Sequence, residues 1–476
     1  MPSAIRIAIV GAGSAQFSVG LVRDLCLTES LAGSTIAFVD TDVERLAMIH
    51  SLATRYVAEL GADLRFEQFA DREPALDSAD VVVNTALAGG HQREEDERAL
   101  LDRLGYYRGL HPSEGFYHQF NLMLSVARDI ERICPNAWLI QSSNPVFDGC
   151  TLMTRETGVK VVGLCHGPFG GIREIVAALD LDPAKVGFAA PGVNHCVWMT
   201  EFRYEGQDAF PLLERWIDEE SETFWSGAAR RYSHTQLSPA AIHMYRLYGA
   251  MPLGDTSRAI WPEAWWYHQG LTGKQRWWGE LGGFDSEIGW GRYLQDVRET
   301  IRRIAAVAGD PGARVTDIFP PNASGEQIVP IIDALFNDRR GHFIVNVPNR
   351  GAISRIAGDV VVEVPAVVDG GGIHPTIVGP LPDKVMLGAV APQVLAMERR
   401  LAGFRSGDPS FIMQVVLSDQ RTRSWDHAEE VVDALMRMPG NESMADHYGA
   451  RHDEDQGTIL NNSGMERVGD TRWSTK

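Results

Sequence analysis

The 476-residue chain has no surplus of basic charge: 44 Lys and Arg stand against 63 Asp and Glu, for a formal net charge of −19. Proteins that hold a phosphate backbone show the opposite balance, so no nucleic-acid partner is expected. Cysteine is also scarce. Cys26, Cys134, Cys150, Cys165 and Cys196 are odd in number and lack paired spacing, which argues against a disulfide framework and for a reducing compartment. No apolar run is long enough to span a bilayer, and Met1-Pro-Ser-Ala-Ile-Arg6 enters a strand pattern with no basic-then-apolar leader. A cytoplasmic protein without a membrane partner is the expectation, long enough for roughly two or three folded units.

What is present begins with Ile5-Arg-Ile-Ala-Ile-Val10, a strand pattern, followed by Gly11-Ala-Gly13-Ser14-Ala-Gln16-Phe17 and an amphipathic run. Gly11 permits the tight turn, Gly13 lets the backbone approach a pyrophosphate, and the helix N-terminus supplies amides to hold it. A third glycine is missing, because Gln16 occupies its place, so the match to the dinucleotide fingerprint is partial. Thr35-Ile-Ala-Phe-Val39 is a second strand, and it ends on Asp40, where a carboxylate accepts hydrogen bonds from a ribose diol and favours NAD over NADP. A helix cap before the run from Val43 to Leu60 is the plainer reading of that acid. Ala79-Asp-Val-Val-Val-Asn84-Thr85 and Ala137-Trp-Leu-Ile-Gln-Ser142 are further buried strands, which place Asn84, Thr85 and Asn144 near the nicotinamide end of the cofactor. The glycine-rich, histidine-bearing stretch between Gly89 and Gln119, with His111, reads as a long functional loop at the active site.

Val161-Val-Gly-Leu-Cys165-His166-Gly-Pro168 is another buried strand, and it ends on a thiol and an imidazole. Lys185 to Tyr204 alternates as an antiparallel strand pair that contains Asn194 and His195. Buried cysteines and histidines are commonly packing residues. A thiolate and an imidazole can also converge on a divalent ion and leave positions open for substrate oxygens. Asp255, in the turn Pro252-Leu-Gly-Asp-Thr256 before Arg258, is either a helix cap or a reactive carboxylate. The dense set Trp261, Trp265, Trp266, Tyr267, Trp277 and Trp278 is either core or a stacking surface for sugar rings. Ile344-Val-Asn346 and Gly370-Gly-Gly372-Ile-His374 are strand-turn elements that could return to the pocket.

Gly11-Ala-Gly-Ser14, Asn144-Pro-Val146, Cys165-His-Gly167, Gly192-Val-Asn-His195, Pro252-Leu-Gly-Asp-Thr256 with Arg258, and Gly372-Ile-His374 together resemble glycoside hydrolase family 4, over the chain to about Met438. The likeness is greatest to the α-glucosidase and α-glucuronidase branch. It implies an α/β fold with an N-terminal Rossmann-type doubly wound parallel sheet and a following α+β domain for substrate and metal, an architecture like that of lactate and malate dehydrogenases. The expected limits are residues 1–190 for the NAD-binding domain, 191–440 for the catalytic and oligomerisation domain, and 441–476 for a polar tail that is partly disordered or covers a neighbouring subunit. The resemblance further implies an NAD- and Mn2+-dependent glycosidase, a homodimer or homotetramer acting on a small carbohydrate, which cleaves α-glycosides of α-glucosidase type, or those of glucuronic or galacturonic acid. In it Cys165 and His195 hold the metal. Asp255 is the base, and His166 or a water is the acid. Asn144, Asn194, Arg258 and His111 meet the sugar, while Gly11, Gly13, Ser14, Gln16, Phe17, Asp40, Asn84, Thr85 and Asn144 meet NAD. One departure is Gly370-Gly371, where near relatives are expected to carry cysteines. The competing readings are an NAD-dependent hydroxyacid or polyol dehydrogenase, which needs no metal, and an NAD-responsive scaffold, in which Cys165, His195 and Asp255 lie apart.

Overall fold

The structure is a computed structural model that describes residues 4–14, 17–107, 117–226, 232–260 and 264–449. Six strands, β1 (Arg6–Val10), β2 (Thr35–Val39), β3 (Arg65–Phe69), β4 (Val81–Asn84), β5 (Trp138–Gln141) and β6 (Lys160–Gly163), pair in parallel in the order β3-β2-β1-β4-β5-β6. That is the doubly wound arrangement whose strand order reverses between β1 and β4, beside which dinucleotides bind. Successive residues face opposite sides of the sheet, and both sides are covered. Ile7, Ile9, Phe38 and Val81 enter one core, while Ala8, Val10, Ala37 and Val82 enter another. Burial on both faces explains why these strands read as continuous apolar runs rather than alternating ones.

The second half of the chain extends the same sheet. β7 (Gly192–Val193), β8 (Cys196–Met199), β9 (Met251–Pro252), β10 (Gly341–Pro348) and β11 (Val361–Asp369) continue it antiparallel in the order β6-β10-β11-β7-β8-β9, and β12 (Gly372–Pro375) pairs with β11. Among the described residues these twelve strands form one sheet. Its register sets Asn346 opposite Gly163 and Glu363 opposite Gly192, so polar residues of the second half arrive beside the segments that carry Cys165 and Asn194. No described helix is long and apolar enough to cross a membrane.

The structure corrects several expectations. The stretch after Gly89 begins as a helix rather than a loop: left-handed Gly89 turns the chain into α2 (Gly90–Arg103), after α1 (Ser18–Leu27), and residues 108–116 lie outside the described residues. Helix α2 buries only Arg98 and Leu101, so it has no apolar period to read, and Gln92 bonds Asp96 one turn on. His195 lies in no strand. It occupies the two-residue turn between β7 and β8 at φ 63°, a left-handed conformation that histidine adopts more readily than most residues. The turn 369–372 joining β11 to β12 borders Trp138, Asp80 and Lys160, at the opposite end of the parallel strands from their carboxyl ends. It therefore does not return to the cleft. At the other terminus Glu442–Gly449 is a helix with Met444 and Tyr448 buried, so the chain beyond 441 begins as part of the folded body.

Candidate active site

A cleft of about 2150 Å3 opens along the carboxyl ends of the parallel strands. One wall is made by Gly11, Gly13, Ser14, Phe17, Asp40, Thr85 and Asn144. Gly11 has φ +88°, and a Cβ there would lie 2.6 Å from the Ala86 nitrogen. Asp40 accepts the Gly13 N–H at 2.7 Å and the Asp42 N–H at 2.9 Å. Asp42 is the residue that caps the helix Val43–Leu60, accepting from Arg45, which leaves Asp40 turned into the cleft. The wall thus keeps a bare backbone cradle with an acid at its rim, which suits a pyrophosphate and a ribose diol. Asn84 is not on this wall. It is fully buried, donating to Gln141 Oε1 at 2.9 Å and accepting from the Ala86 N–H at 3.2 Å. Gln16 and His111, also expected at the site, lie outside the described residues.

The facing wall gathers Cys165, His166, Asn194, His195, Asp255 and Arg258 into the same cleft. Cys165 and His166 precede α3 (Gly167–Ala178), and Asp255 precedes α4 (Thr256–Ala259). What brings these helix starts together is a glycine contact. At Gly254, φ +61°, a Cβ would come within 2.4 Å of the Gly167 carbonyl, so only glycine lets the two turns touch. Gln236 clamps the turn, donating to the Pro252 carbonyl at 3.0 Å and accepting the Gly254 N–H at 2.9 Å. Thr256 fixes it to β8 through both polar groups of Val197.

The charges on this wall form a chain. His195 Nε2 lies 3.8 Å from Asp255 Oδ2, Arg258 Nε donates to Asp255 Oδ1 at 2.9 Å, and Arg258 Nη1 donates to both oxygens of Asp285 at 3.2 and 3.1 Å. Arg98 follows, 4.0 Å from Asp285. Burial works to raise the Asp255 pKa, but Arg258 and His195 prevail and bring it down to about 2, so the carboxylate is ionised at any working pH. Burial lowers the His195 pKa despite Asp255, which keeps the imidazole in its neutral, ligand-competent form. Burial, with Glu363 and Asp255, pushes the Cys165 thiol well above its ordinary range.

Residues 6–181 match the family model described as family 4 glycosyl hydrolase, and residues 190–422 match that of its C-terminal domain. The chain belongs to glycosyl hydrolase family 4. An α-galactosidase of Bacillus subtilis is 28% identical over 229 residues, 46% of this chain and 52% of that protein. An α-galacturonidase of the same organism is 25% identical over 80% of this chain and 85% of its own. Among solved structures, Bacillus subtilis lplD aligns with a TM-score of 0.77 at 22% identity, covering 90% of this chain and 99% of its own. A 6-phospho-α-glucosidase from gut microorganisms, solved with NAD and Mn2+, aligns at 0.72 and 18% identity, covering 91% and 98%. Eimeria maxima lactate dehydrogenase aligns at 0.50 and 13% identity, covering 86% and 97%. The expected fold class, a Rossmann-type α/β sheet with a dehydrogenase-like second half, and the resemblance read from the motifs are both met.

As a family 4 chain it brings two soft donors, Cys165 and His195, to one cleft. Among the described residues no group of three or more His, Cys, Asp or Glu is placed to hold an ion. A thiolate and an imidazole can hold a divalent ion and leave its other positions open to oxygens. The tryptophans do not serve as a sugar platform here. Trp265, Trp266, Trp277 and Trp278 do not border the cleft; with Tyr267 they make edge-on and tilted contacts around His243 and His268, and Trp261 lies outside the described residues. The cleft's aromatics include Phe284, Trp290 and Tyr293 instead. Sequence reading also missed Glu363, which is fully buried in β11, accepts Asn194 Nδ2 at 3.0 Å and is raised to about 7 by burial. A lone carboxylate within Val-Val-Glu-Val was the available signal. Asp285 carried none, because it stands just before Ser286, the cap of α5 (Glu287–Gly309).

Proposed function

We propose that this family 4 chain cleaves α-glycosides, of α-glucosidase type or those of a uronic acid, by transient oxidation of the sugar with NAD and Mn2+ or another divalent ion. The observation that carries the reading is the meeting, in one cleft, of the Gly11–Asp40 wall with Cys165, His195 and the Asp255–Arg258 pair. The NAD- and Mn2+-bound relative and the α-galacturonidase relative support it. When bound, NAD takes hydride from carbon 3 and later returns it, while the ion acts as a Lewis acid toward the neighbouring oxygens.

The chain's own residues do the rest. Gly11, Gly13 and Ser14 seat the pyrophosphate, and Asp40 holds the adenosine ribose. Cys165 and His195 are the ion's protein ligands. Asp255 takes the proton of carbon 2, which a carbonyl at carbon 3 makes acidic. Its low pKa makes it a weak base, so acidification of the substrate supplies most of the driving force. Arg258 fixes the orientation of that carboxylate. Asn144 and Asn194 receive sugar hydroxyls, and His166 protonates the glycosidic oxygen as it leaves carbon 1. Water then adds.

Aryl α-glycosides incubated with NAD+ and Mn2+ under reducing conditions test the reading. Hydrolysis that needs both, without net NADH, is expected, whereas steady NADH release would identify a dehydrogenase. Cys165→Ser should abolish metal-dependent turnover and keep NAD+ binding; unchanged turnover would make the thiol a packing residue.

A further inference from the structure

Arg98 is 7% exposed, lines the cleft, and makes no hydrogen bond among the described residues. Among the described residues its one carboxylate contact is Asp285 at 4.0 Å, and Asp285 is already held by two hydrogen bonds from Arg258. A guanidinium carries five N–H donors, and a buried charge without hydrogen bonds is costly and calls for an explanation. Its position is nonetheless fixed. The guanidinium stacks 4.1 Å from the Trp290 ring, whose own Nε1 is buried without an acceptor, and on the other side of Asp285 the Arg258 guanidinium stacks 4.6 Å from the Phe284 ring. Stacking holds the Arg98 plane and leaves its N–H edge free for a ligand.

The local charge has the matching sign. Asp255 and Asp285 balance Arg258 and Arg98, and Lys274, buried behind them against His268, adds a further cation. Burial, and then Arg98, Arg258 and Arg421 against the pull of Asp285, hold the Lys274 ammonium down to about 7. Arg98 lies two ionic links beyond Arg258, the residue that holds Asp255. In a pyranose, carbon 5 and its carbon 6 substituent stand across the ring from carbon 2, where Asp255 acts.

We propose that Arg98, stacked on Trp290, is a specificity-determining residue that receives the carbon 6 carboxylate of the sugar, and that the substrate is an α-glycoside of a uronic acid. The placement relative to carbon 2 rests on the glycosidase reading above; the anion subsite does not. A planar carboxylate matches the planar guanidinium edge and completes its hydrogen bonds, whereas a neutral hydroxymethyl group leaves the charge unpaired.

Calorimetry on the protein loaded with NAD+ and Mn2+ tests it with free D-glucuronate and D-galacturonate, D-glucose and D-galactose, and glucose 6-phosphate. A uronate should bind about 100-fold tighter than its neutral counterpart, in keeping with the loss of a charged hydrogen-bond pair. In Arg98→Gln that ratio should collapse about 100-fold, and Arg98→Lys, which keeps the charge, should retain part of it. Equal affinity for acid and neutral sugars, tighter binding of glucose 6-phosphate, or an unchanged ratio in Arg98→Gln would each overturn the proposal. A uronate preference accompanied by steady NADH release would retain the subsite and remove the glycosidase reading. Hydrolysis of neutral and acidic α-glycosides alike would do the reverse.

Discussion

The wall of the cleft that carries Gly11, Gly13 and Asp40 is built from neighbouring strand ends and backbone N–H groups. The wall that carries Asp255, Arg258, Asp285 and Arg98 is built from side-chain charges drawn from separate parts of the chain. The first is set by local geometry: a glycine with positive φ and an acid one strand away. The second is set by mutual neutralisation, in which each ion is tolerable in the interior because the next one is present. Damage to the first wall should therefore be confined to cofactor affinity, while damage to the second should reach stability as well as turnover.

The largest expected effect is that of Asp255→Asn, which removes the proposed base. The kcat should fall by about 10²–10⁴-fold, with the NAD+ dissociation constant hardly changed, as fluorescence titration would read. A parallel loss of NAD+ affinity would show that the walls are not independent. Next is Asp285→Ala, which strands Arg258 and Arg98 without their shared carboxylate; urea unfolding should report a loss of about 3–5 kcal/mol. A cost below about 1 kcal/mol, the size of an exposed ion pair, would mean that the network does not hold the wall. On the opposite wall, Asp40→Ala should weaken NAD+ about 10-fold or more, the scale of a charge-assisted hydrogen bond, while kcat at saturating NAD+ stays near that of the parent.

A further effect concerns pH. Lys274 titrates near 7 in the fold against an ordinary value of 10.5, because burial and neighbouring cations disfavour its charge. The unfolded chain binds more protons between those values, so the stability of the parent relative to Lys274→Met should rise as pH climbs from about 7 to about 10 and level off below 7. Denaturation curves of both proteins at successive pH values would show it, and a difference that falls over that window would contradict the assigned environment.

The same contrast explains what could be read from the sequence. The nucleotide wall is written in contiguous runs: Ile5 to Ser14, Thr35 to Asp40, and Val81 to Thr85 announce strands, a turn and an acid in order. Even there Asn84 was misplaced, because a polar residue at a strand end can spend its amide on the next strand, here Gln141. On the second wall Cys165, His195 and Asp255 stood out as residue types within short motifs. Arg98 and Asp285 did not, since one sits in a polar helix without apolar period and the other beside a capping serine. Their significance comes from tertiary contacts between helices α2, α4 and α5, and no local pattern encodes that. The tryptophan cluster misled for a related reason: aromatic density marks burial as readily as a sugar platform.

The central claim is that the two walls act on one sugar, with oxidation at carbon 3 preparing proton abstraction at carbon 2 by Asp255. Its most direct test is turnover of an aryl α-uronide in D2O with NAD+ and Mn2+, followed by NMR of the released sugar. The account predicts deuterium at carbon 2, no net NADH, and loss of both hydrolysis and exchange in Asp255→Asn. Hydrolysis that leaves carbon 2 fully protonated would contradict it.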